Sequence, residues 1–409
     1  MLRPVPVSGM TTAIFDPGEH EPLANESWDE GLARAFVRRI VLEADDAYSD
    51  ERGGWPAHPE DDESARKTFR GLYFGAAGTM WAITHLAHTN GVTLKHNYGT
   101  AVARCEDSYR MNPIDTETVV PSYFLGTVGI MTAAYAITGD RALLDRIAGD
   151  MRVNTGNPAR EALWGSSGTA LAALLLSERD GDHRYDDVLR AVQEELWATW
   201  EPARKDGGLL WEQDLYGFRR RFVGAAHGAL GNLAPFVRAS HLLSSARKAE
   251  LLERVPALLE IYAIRDGNAA NWPALGEPCE GNRMQWCHGS PGVIMALASY
   301  PVQDDRVERL LVAGGEGIWK AGPVRKGPTL CHGTAGNGFA LLRLAVRTSD
   351  PRWERRAECF AMHAIRQVAD WRQKFGVPSF SLWTGELGVA LYVDAVLRKD
   401  ADLVTLDVM

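Results

Sequence analysis

Trp286-Cys287-His288-Gly289-Ser290-Pro291-Gly292 and Cys331-His332-Gly333-Thr334-Ala335-Gly336-Asn337 decide how this chain is read. The two stretches share a Cys-His-Gly triplet and a second glycine, their cysteines stand 44 residues apart, and each runs into an apolar segment. Thiolates and an imidazole at equivalent places of two similar segments point to one soft-metal site assembled from two loops, and zinc suits that donor set. A lone buried cysteine reads as a small hydrophobe; the doubling of the triplet is what favours a metal. Cys287 and Cys331 supply two ligands, and His332 or His288 the third. Three protein ligands leave one place open, as a catalytic zinc does and a structural zinc does not.

The glycine spacing recurs along the chain. G-x-x-G pairs stand at Gly75/Gly78, Gly126/Gly129, Gly165/Gly168, Gly228/Gly231, Gly289/Gly292, Gly333/Gly336 and Gly385/Gly388. One such pair carries no information. Seven, about 52 residues apart and each opening an Ala-, Leu- or Met-rich segment, mark an internal repeat. The apolar segments, 79–88, 130–137 and 293–298 among them, read as buried helices. Between them, amphipathic stretches at 141–152, 186–200, 244–262, 304–319 and 352–371 read as outer helices with one wet face. A further outer helix is expected from Ser27, where Ser27-Trp28-Asp29-Glu30 has capping-box form.

Alternation of inner and outer helices seven times over predicts an all-α fold, a seven-fold α/α toroid with the zinc site at its centre. An open solenoid is the competing arrangement. Closure is favoured because repeats five and six each donate ligands while repeats three and four offer titratable groups at similar positions. Glycines at the inner-helix starts permit tight turns near the axis, where helix N-termini leave free N–H groups. The stretches 45–66, 204–221 and 265–284 read as long surface loops. No linker divides the chain, so 1–409 reads as one domain: 1–70 an N-terminal segment and outer helix, 71–393 the repeats, 394–409 a tail.

With 45% hydrophobic and 24% charged residues the composition is that of a globular protein, and the net charge of −9 argues against a general nucleic-acid binder. The expectation is no nucleic-acid partner and no membrane span, since no run of eighteen apolar residues occurs. The chain opens without an apolar signal region, and its five cysteines, Cys105, Cys279, Cys287, Cys331 and Cys359, are an odd number. Together these predict reduced thiols in the cytoplasm.

The residues just before each glycine pair show where chemistry concentrates. Aromatic residues mark repeats one, three and seven (Tyr73, Trp164 and Trp383), as walls around a polar floor formed by repeats three to six. His227, in Gly224-Ala225-Ala226-His227-Gly228, is the candidate proton-transfer group, because imidazole is accessible in both forms at neutral pH. A hydrogen-bonded core histidine is the bland alternative. Glu161 is a candidate to orient or relay a proton, set against a Glu that favours a helix dipole. Arg221, in the run Arg219-Arg220-Arg221, is a candidate to attract an anionic substrate, set against a solvated surface run. Lys326, five residues before Cys331, is another.

These motifs resemble the lanthionine synthetase C-like family, which includes bacterial lantibiotic cyclases and the eukaryotic LanC-like proteins. The resemblance runs from about residue 71 to 393 and rests on Gly-Ala-Ala-His-Gly at 224–228, Trp-Cys-His-Gly-Ser-Pro-Gly at 286–292 and Cys-His-Gly-Thr-Ala-Gly-Asn at 331–337. It implies a seven-fold α/α toroid with central zinc on Cys287, Cys331 and His332, and a catalytic histidine at His227. Where peptide cyclases carry an aspartate in repeat three and a tyrosine after the repeat-five cysteine, this chain has Glu161 and His288. Both substitutions, with Lys326, look like the eukaryotic-type branch, which is associated with glutathione and its addition to dehydroamino acids in damaged proteins.

The function these readings imply is zinc-dependent activation of a thiol, that of glutathione or a peptide cysteine. The thiol would undergo Michael-type addition to dehydroalanine or dehydrobutyrine in a peptide or protein, giving a thioether. Three alternatives remain: a non-catalytic zinc- and glutathione-binding protein, a lanthionine-forming cyclase, and a carbohydrate enzyme. The last requires paired carboxylates, for which only Glu161 and Glu386 lie within the motifs.

Overall fold

The computed structural model describes residues 13–64, 66–203, 208–215, 217–277, 281–298, 300 and 304–409; Cys279 lies outside the described residues. In chain order the helices are α1 (Glu30–Asp46), α2 (Ala76–Thr89), α3 (Tyr98–Met111), α4 (Thr127–Thr138), α5 (Leu143–Asn154), α6 (Ser166–Asp180) and α7 (Asp186–Ala198). They continue as α8 (Ala229–Arg238), α9 (Ser245–Tyr262), α10 (Ser290–Leu297), α11 (Asp305–Ala321), α12 (Thr334–Thr348), α13 (Pro351–Phe375) and α14 (Glu386–Arg398).

The even-numbered helices are the inner set, apolar nearly all round. Each packs on the next in order, and α14 packs back on α2, which closes the ring. The odd-numbered helices lie outside with one buried face; in α11 that face is Val307, Leu310, Leu311 and Ile318. The first and last parts of the chain also meet here, because α14 packs along α1.

The glycine pairs have two separate physical causes. The first glycine of each pair is the residue that caps an inner helix, in extended conformation in six repeats, while Gly289 has φ +116. The second stands in the first helical turn. A Cβ there would run into the carbonyl oxygen of the residue six positions earlier: Leu72, Tyr123, Ala162, Ala225, Trp286, Leu330 and Leu382 in turn. The loop therefore rolls over the helix start at backbone contact distance, which only glycine allows. This corrects the expectation of free N–H groups at these helix starts. Loop carbonyls take them: Ala76 donates to Phe69, Thr127 to Val120, Ala229 to Phe222 and Thr334 to Gly327.

Four further expectations are revised. The fold is not purely helical. Three two-stranded antiparallel hairpins, β1 (Glu201–Pro202) with β2 (Leu209–Leu210), β3 (Gln213–Leu215) with β4 (Phe218–Arg220), and β5 (Ile264–Asp266) with β6 (Ala269–Asn271), occupy stretches that lack helical periodicity. Gly217 and Gly267, at φ +89 and +62, turn two of them. Helix α1 starts at Glu30 rather than Ser27, because the Asp29 carboxylate accepts the Leu32 N–H at 2.9 Å and caps it. The stretch 45–66 is not wholly a surface loop: it begins with the end of α1, and Asp45, Trp55 and His58 within it are buried. Helix α14 continues to Arg398, so the tail begins at Lys399 rather than 394. That tail tucks under the inner ring: Tyr123 donates to the Thr405 carbonyl at 3.0 Å, Arg238 to that of Leu406 at 2.6 Å, and buried Arg343 pairs with Asp407. Among the described residues no helix is long and apolar enough to cross a membrane.

Two glycine substitutions separate these effects. Gly129→Ala is expected to lower unfolding stability by about 3 kcal/mol, because the Tyr123 carbonyl occupies the space. Gly149→Ala, inside α5 with nothing near its Cβ, is expected to raise it by roughly 0.5–1 kcal/mol. Denaturant unfolding of both variants checks this; equal effects would show that the repeat glycines are not sterically required.

Candidate active site

The residue two places before each capping glycine lies on a belt of backbone hydrogen bonds around the loop face of the ring. Tyr73 N–H donates to Phe124 at 2.9 Å, Ala226 to Cys287 at 3.4 Å, Cys287 to Cys331 at 3.2 Å, Cys331 to Trp383 at 3.1 Å, and Trp383 to Tyr73 at 3.0 Å. Ala162, one place off this register, donates to Ala226 at 3.0 Å. Among the described residues only the step from repeat two to three lacks a belt bond. In repeat three itself the Glu161 carboxylate takes the Leu163 N–H at 3.0 Å, together with those of Trp164 and Gly165, while Ala162 makes the belt bond.

The belt makes Cys287 and Cys331 direct neighbours, although they are far apart in sequence. Their thiols hydrogen-bond to each other. That bond draws the Cys287 thiol down to about 7 against the effect of burial, helped by Gln285 Nε2, which donates to its sulfur at 2.9 Å, and by the charge of His227. Burial, and the bond to Cys287, push Cys331 well up. Cys287 is thus the member of the pair drawn toward the thiolate. The Tyr73 hydroxyl reaches Cys331.

Glu161 is completely buried, and its Oε2 lies 3.0 Å from His227 Nδ1. Burial disfavours the charged ring, but the Glu161 hydrogen bond and charge, with the Cys287 thiolate, outweigh it and raise the His227 pKa above 6.5. The carboxylate fixes the Nδ1 proton and leaves Nε2 free to move one. His288 and His332 behave oppositely. Burial first, then His227 and Arg283, take His288 down to about 3; burial, then Lys326 and Arg283, take His332 to about 4. Both are neutral imidazoles at pH 7, and His288 Nδ1 is buried with no hydrogen-bond partner. The rings of His227 and His288 lie 6.0 Å apart.

The chemistry of this donor set, a thiol pair next to neutral imidazoles, fits a soft divalent ion. Both cysteines are free thiols, and among the described residues no three His, Cys, Asp or Glu side chains are grouped as a metal site. Lys326 acts on Cys331 and His332 through its charge. It lines, with Arg283, Gln285, His20, Glu19 and Asp16, a cavity of about 310 Å³. Arg221 is engaged elsewhere, ion-paired to Glu212 at 3.5 Å and Glu201 at 4.0 Å. Glu386 is bound by Arg372 and by the Ser379 N–H, so it and Glu161 are each committed to their own partners and offer no free carboxylate pair. The expected aromatic wall lies deeper than predicted: Trp286 and Trp383 are buried against each other at 4.3 Å, and Trp383 stacks on Tyr73 at 6.0 Å.

Sequence reasoning missed Gln285, Arg283 and the role of Tyr73. Tyr73 carried a usable signal, since it occupies the same place before its glycine as the two cysteines. Gln285 and Arg283 lie in a non-periodic stretch with none.

A closed ring of paired helices carrying a two-thiol, His–Glu site on its loop face defines the class of protein. Residues 62–406 match the family described as lanthionine synthetase C-like protein, and the chain belongs to that family. Among curated proteins it is 32% identical over 197 residues to "Glutathione S-transferase LANCL1" of Danio rerio, covering 44% of each chain. It is 30% identical over 262 residues to "LanC-like protein GCL1" of Arabidopsis thaliana, covering 59% of this chain and 56% of that one. The matched stretch thus spans about half the length of these curated relatives. Among solved structures "Nisin cyclase" superposes with a TM-score of 0.57 at 16% identity, over 90% of this chain and 100% of that one, a likeness of fold.

If Glu161 sets the state of His227, Glu161→Gln removes the anion and leaves the burial. The His227 pKa is then expected to fall below 6.5, read from imidazole NMR signals and assigned with a His227→Asn spectrum. In the parent the raised value means that His227 adds stability in full below pH 6.5 and loses it as pH rises through the folded value. A pKa unchanged by Glu161→Gln would remove Glu161 from this role.

Proposed function

We propose that this protein activates a thiol and adds it to a dehydroalanine or dehydrobutyrine residue of a peptide or protein, forming a thioether, with glutathione as the thiol. The observation that carries the reading is the juxtaposition, on one belt, of the Cys287–Cys331 thiol pair and the His227–Glu161 dyad. The relative named as a glutathione S-transferase supports the choice of thiol.

Cys287, Cys331 and His332 would hold a zinc ion, which when bound supplies the Lewis acidity that keeps a thiol deprotonated at neutral pH. Gln285 orients the Cys287 sulfur through its amide hydrogen bond. Attack of a thiolate on the β-carbon forms the C–S bond and moves the alkene electrons onto the α-carbon and amide oxygen. His227 then delivers a proton from Nε2 to the α-carbon, while Glu161 holds Nδ1 and steadies the ring in the correct tautomer. Lys326, whose charge reaches Cys331 and His332, meets an anionic group of the substrate. Five cysteines with no disulfide among the described residues suit a reducing compartment such as the cytoplasm.

Elemental analysis of chain purified without chelators is expected to find about one zinc per chain, and almost none in Cys331→Ala. Zinc-free parent protein would end the thiol-activation reading. His227→Ala is expected to keep its zinc and to add glutathione to a dehydroalanine peptide about 10²–10⁴-fold more slowly, measured by mass spectrometry of the adduct. Unchanged turnover would show that the proton comes from elsewhere.

A further inference from the structure

Residues 48–69 form a flap on the loop end of repeat seven. Trp55 Nε1 donates to the Ala44 carbonyl at 2.8 Å, and Ala57 N–H to the Lys67 carbonyl at 2.8 Å. His58 stacks on Trp371 with ring planes 6° apart and meets Phe375 edge-on. Beside these buried anchors the flap holds Asp61, half-buried, against the loop of repeat seven.

Asp61 Oδ2 accepts the Thr384 hydroxyl at 3.0 Å, and Thr384 in turn meets Ser381 at 2.8 Å. Among the described residues no other side-chain hydrogen bond and no ion pair of Asp61 is formed. Its neighbours in charge are Lys326, acting on it from beyond pairing distance, and Glu60. Asp61 is also felt by Tyr73, the residue that reaches Cys331. It lines a small cavity with Trp55, Phe69, Phe74 and Ser381. Burial pushes its carboxyl up to about 6, as befits an anion short of a counter-charge. Structural carboxylates in this protein collect more partners: Glu386 has Arg372, Asp45 has Lys95, His96 and Tyr98, and Asp115, also pushed up to about 6 by burial, takes the N–H groups of Arg70 and Gly71. Asp61 also stands just ahead of the residues matched to the family.

We propose that Asp61 is a specificity residue that pairs with the primary ammonium group of the thiol substrate. A carboxylate with no ion pair among the described residues, within electrostatic reach of Tyr73 and Lys326, is complementary to a thiol that carries an α-amino acid group. It is not complementary to a cysteine inside a peptide chain, whose nitrogen is an uncharged amide. The inference rests on the thiol-activation reading above and narrows it to thiols with a free amine.

The test is calorimetric binding of glutathione and of its N-acetyl derivative to zinc-loaded full-length protein, parent and Asp61→Asn. Asparagine keeps an oxygen for the Thr384 hydroxyl, and the ratio of two affinities within one variant does not depend on how much of the sample is folded. The parent is expected to bind glutathione about tenfold more tightly than the N-acetyl form, a charge-assisted hydrogen bond's worth. Asp61→Asn is expected to erase the difference by weakening glutathione alone. A parent that binds both equally, or an Asp61→Asn variant that still discriminates, overturns this inference and leaves the thiol reading intact. A parent that binds neither overturns both.

Discussion

The backbone belt on the loop face is the constraint on which the rest of the molecule hangs. In repeats four, five, six, seven and one the residue two places before the capping glycine donates its N–H to the next repeat, and repeat three joins through Ala162, one place earlier. Whatever side chains occupy belt positions are brought together near the axis irrespective of sequence separation. Cysteines at the positions of repeats five and six become a pair for this reason, and Tyr73, at the same position of repeat one, joins them across Trp383. The glycines serve the belt. A side chain at any second glycine would lift the loop off its helix and pull a belt residue out of line.

Within that frame one buried anion divides the labour among the histidines. Glu161 accepts the N–H groups of Leu163 and Gly165 within repeat three, and its Oε2 also holds His227. His227 therefore keeps its proton to higher pH than a free imidazole does, while burial, with Arg283 nearby, takes His288 down to about 3 and His332 to about 4. Titratable groups driven apart by their surroundings are how a site supplies acid and ligand functions at one pH.

The repeat, the inner helices and the candidate thiols were legible in the sequence because each depends on a residue type that few others can replace: glycine at a carbonyl contact, cysteine beside histidine. Helix α3 was not, because its buried face, though at helical spacing, is built from Tyr98, Ala101, Val102, Cys105, Glu106 and Tyr109 and holds no Leu, Ile, Met or Phe. The flap at 48–69 reads as solvent-exposed because its acids outnumber its anchors, yet Trp55 and His58 suffice to bury it. The belt itself could not be read at all. It is made of peptide groups, which every residue carries, and so leaves a trace only through the glycines that make room for it. Gln285 and Asp61 were invisible for a related reason: each acts through where its loop is carried in space.

Ring closure also has a consequence in time. Helix α14 lies between α12 and α2 and packs along α1, so the chain's end completes what its beginning opened. At ribosomal rates of about 5–20 residues per second, α2 waits on the order of fifteen seconds or more for the partner that covers its flank. Until then the nascent protein is an arc with two raw edges of apolar helix, and Tyr73 has neither Trp383 nor Cys331 beside it. Such long-range closure is intrinsically slow and exposes sticky surface while it waits. The thiol centre therefore gains its Trp383 and Tyr73 neighbours only on closure, and a chain cut short before repeat seven would carry both cysteines and the His227–Glu161 pair at the open edge of an arc.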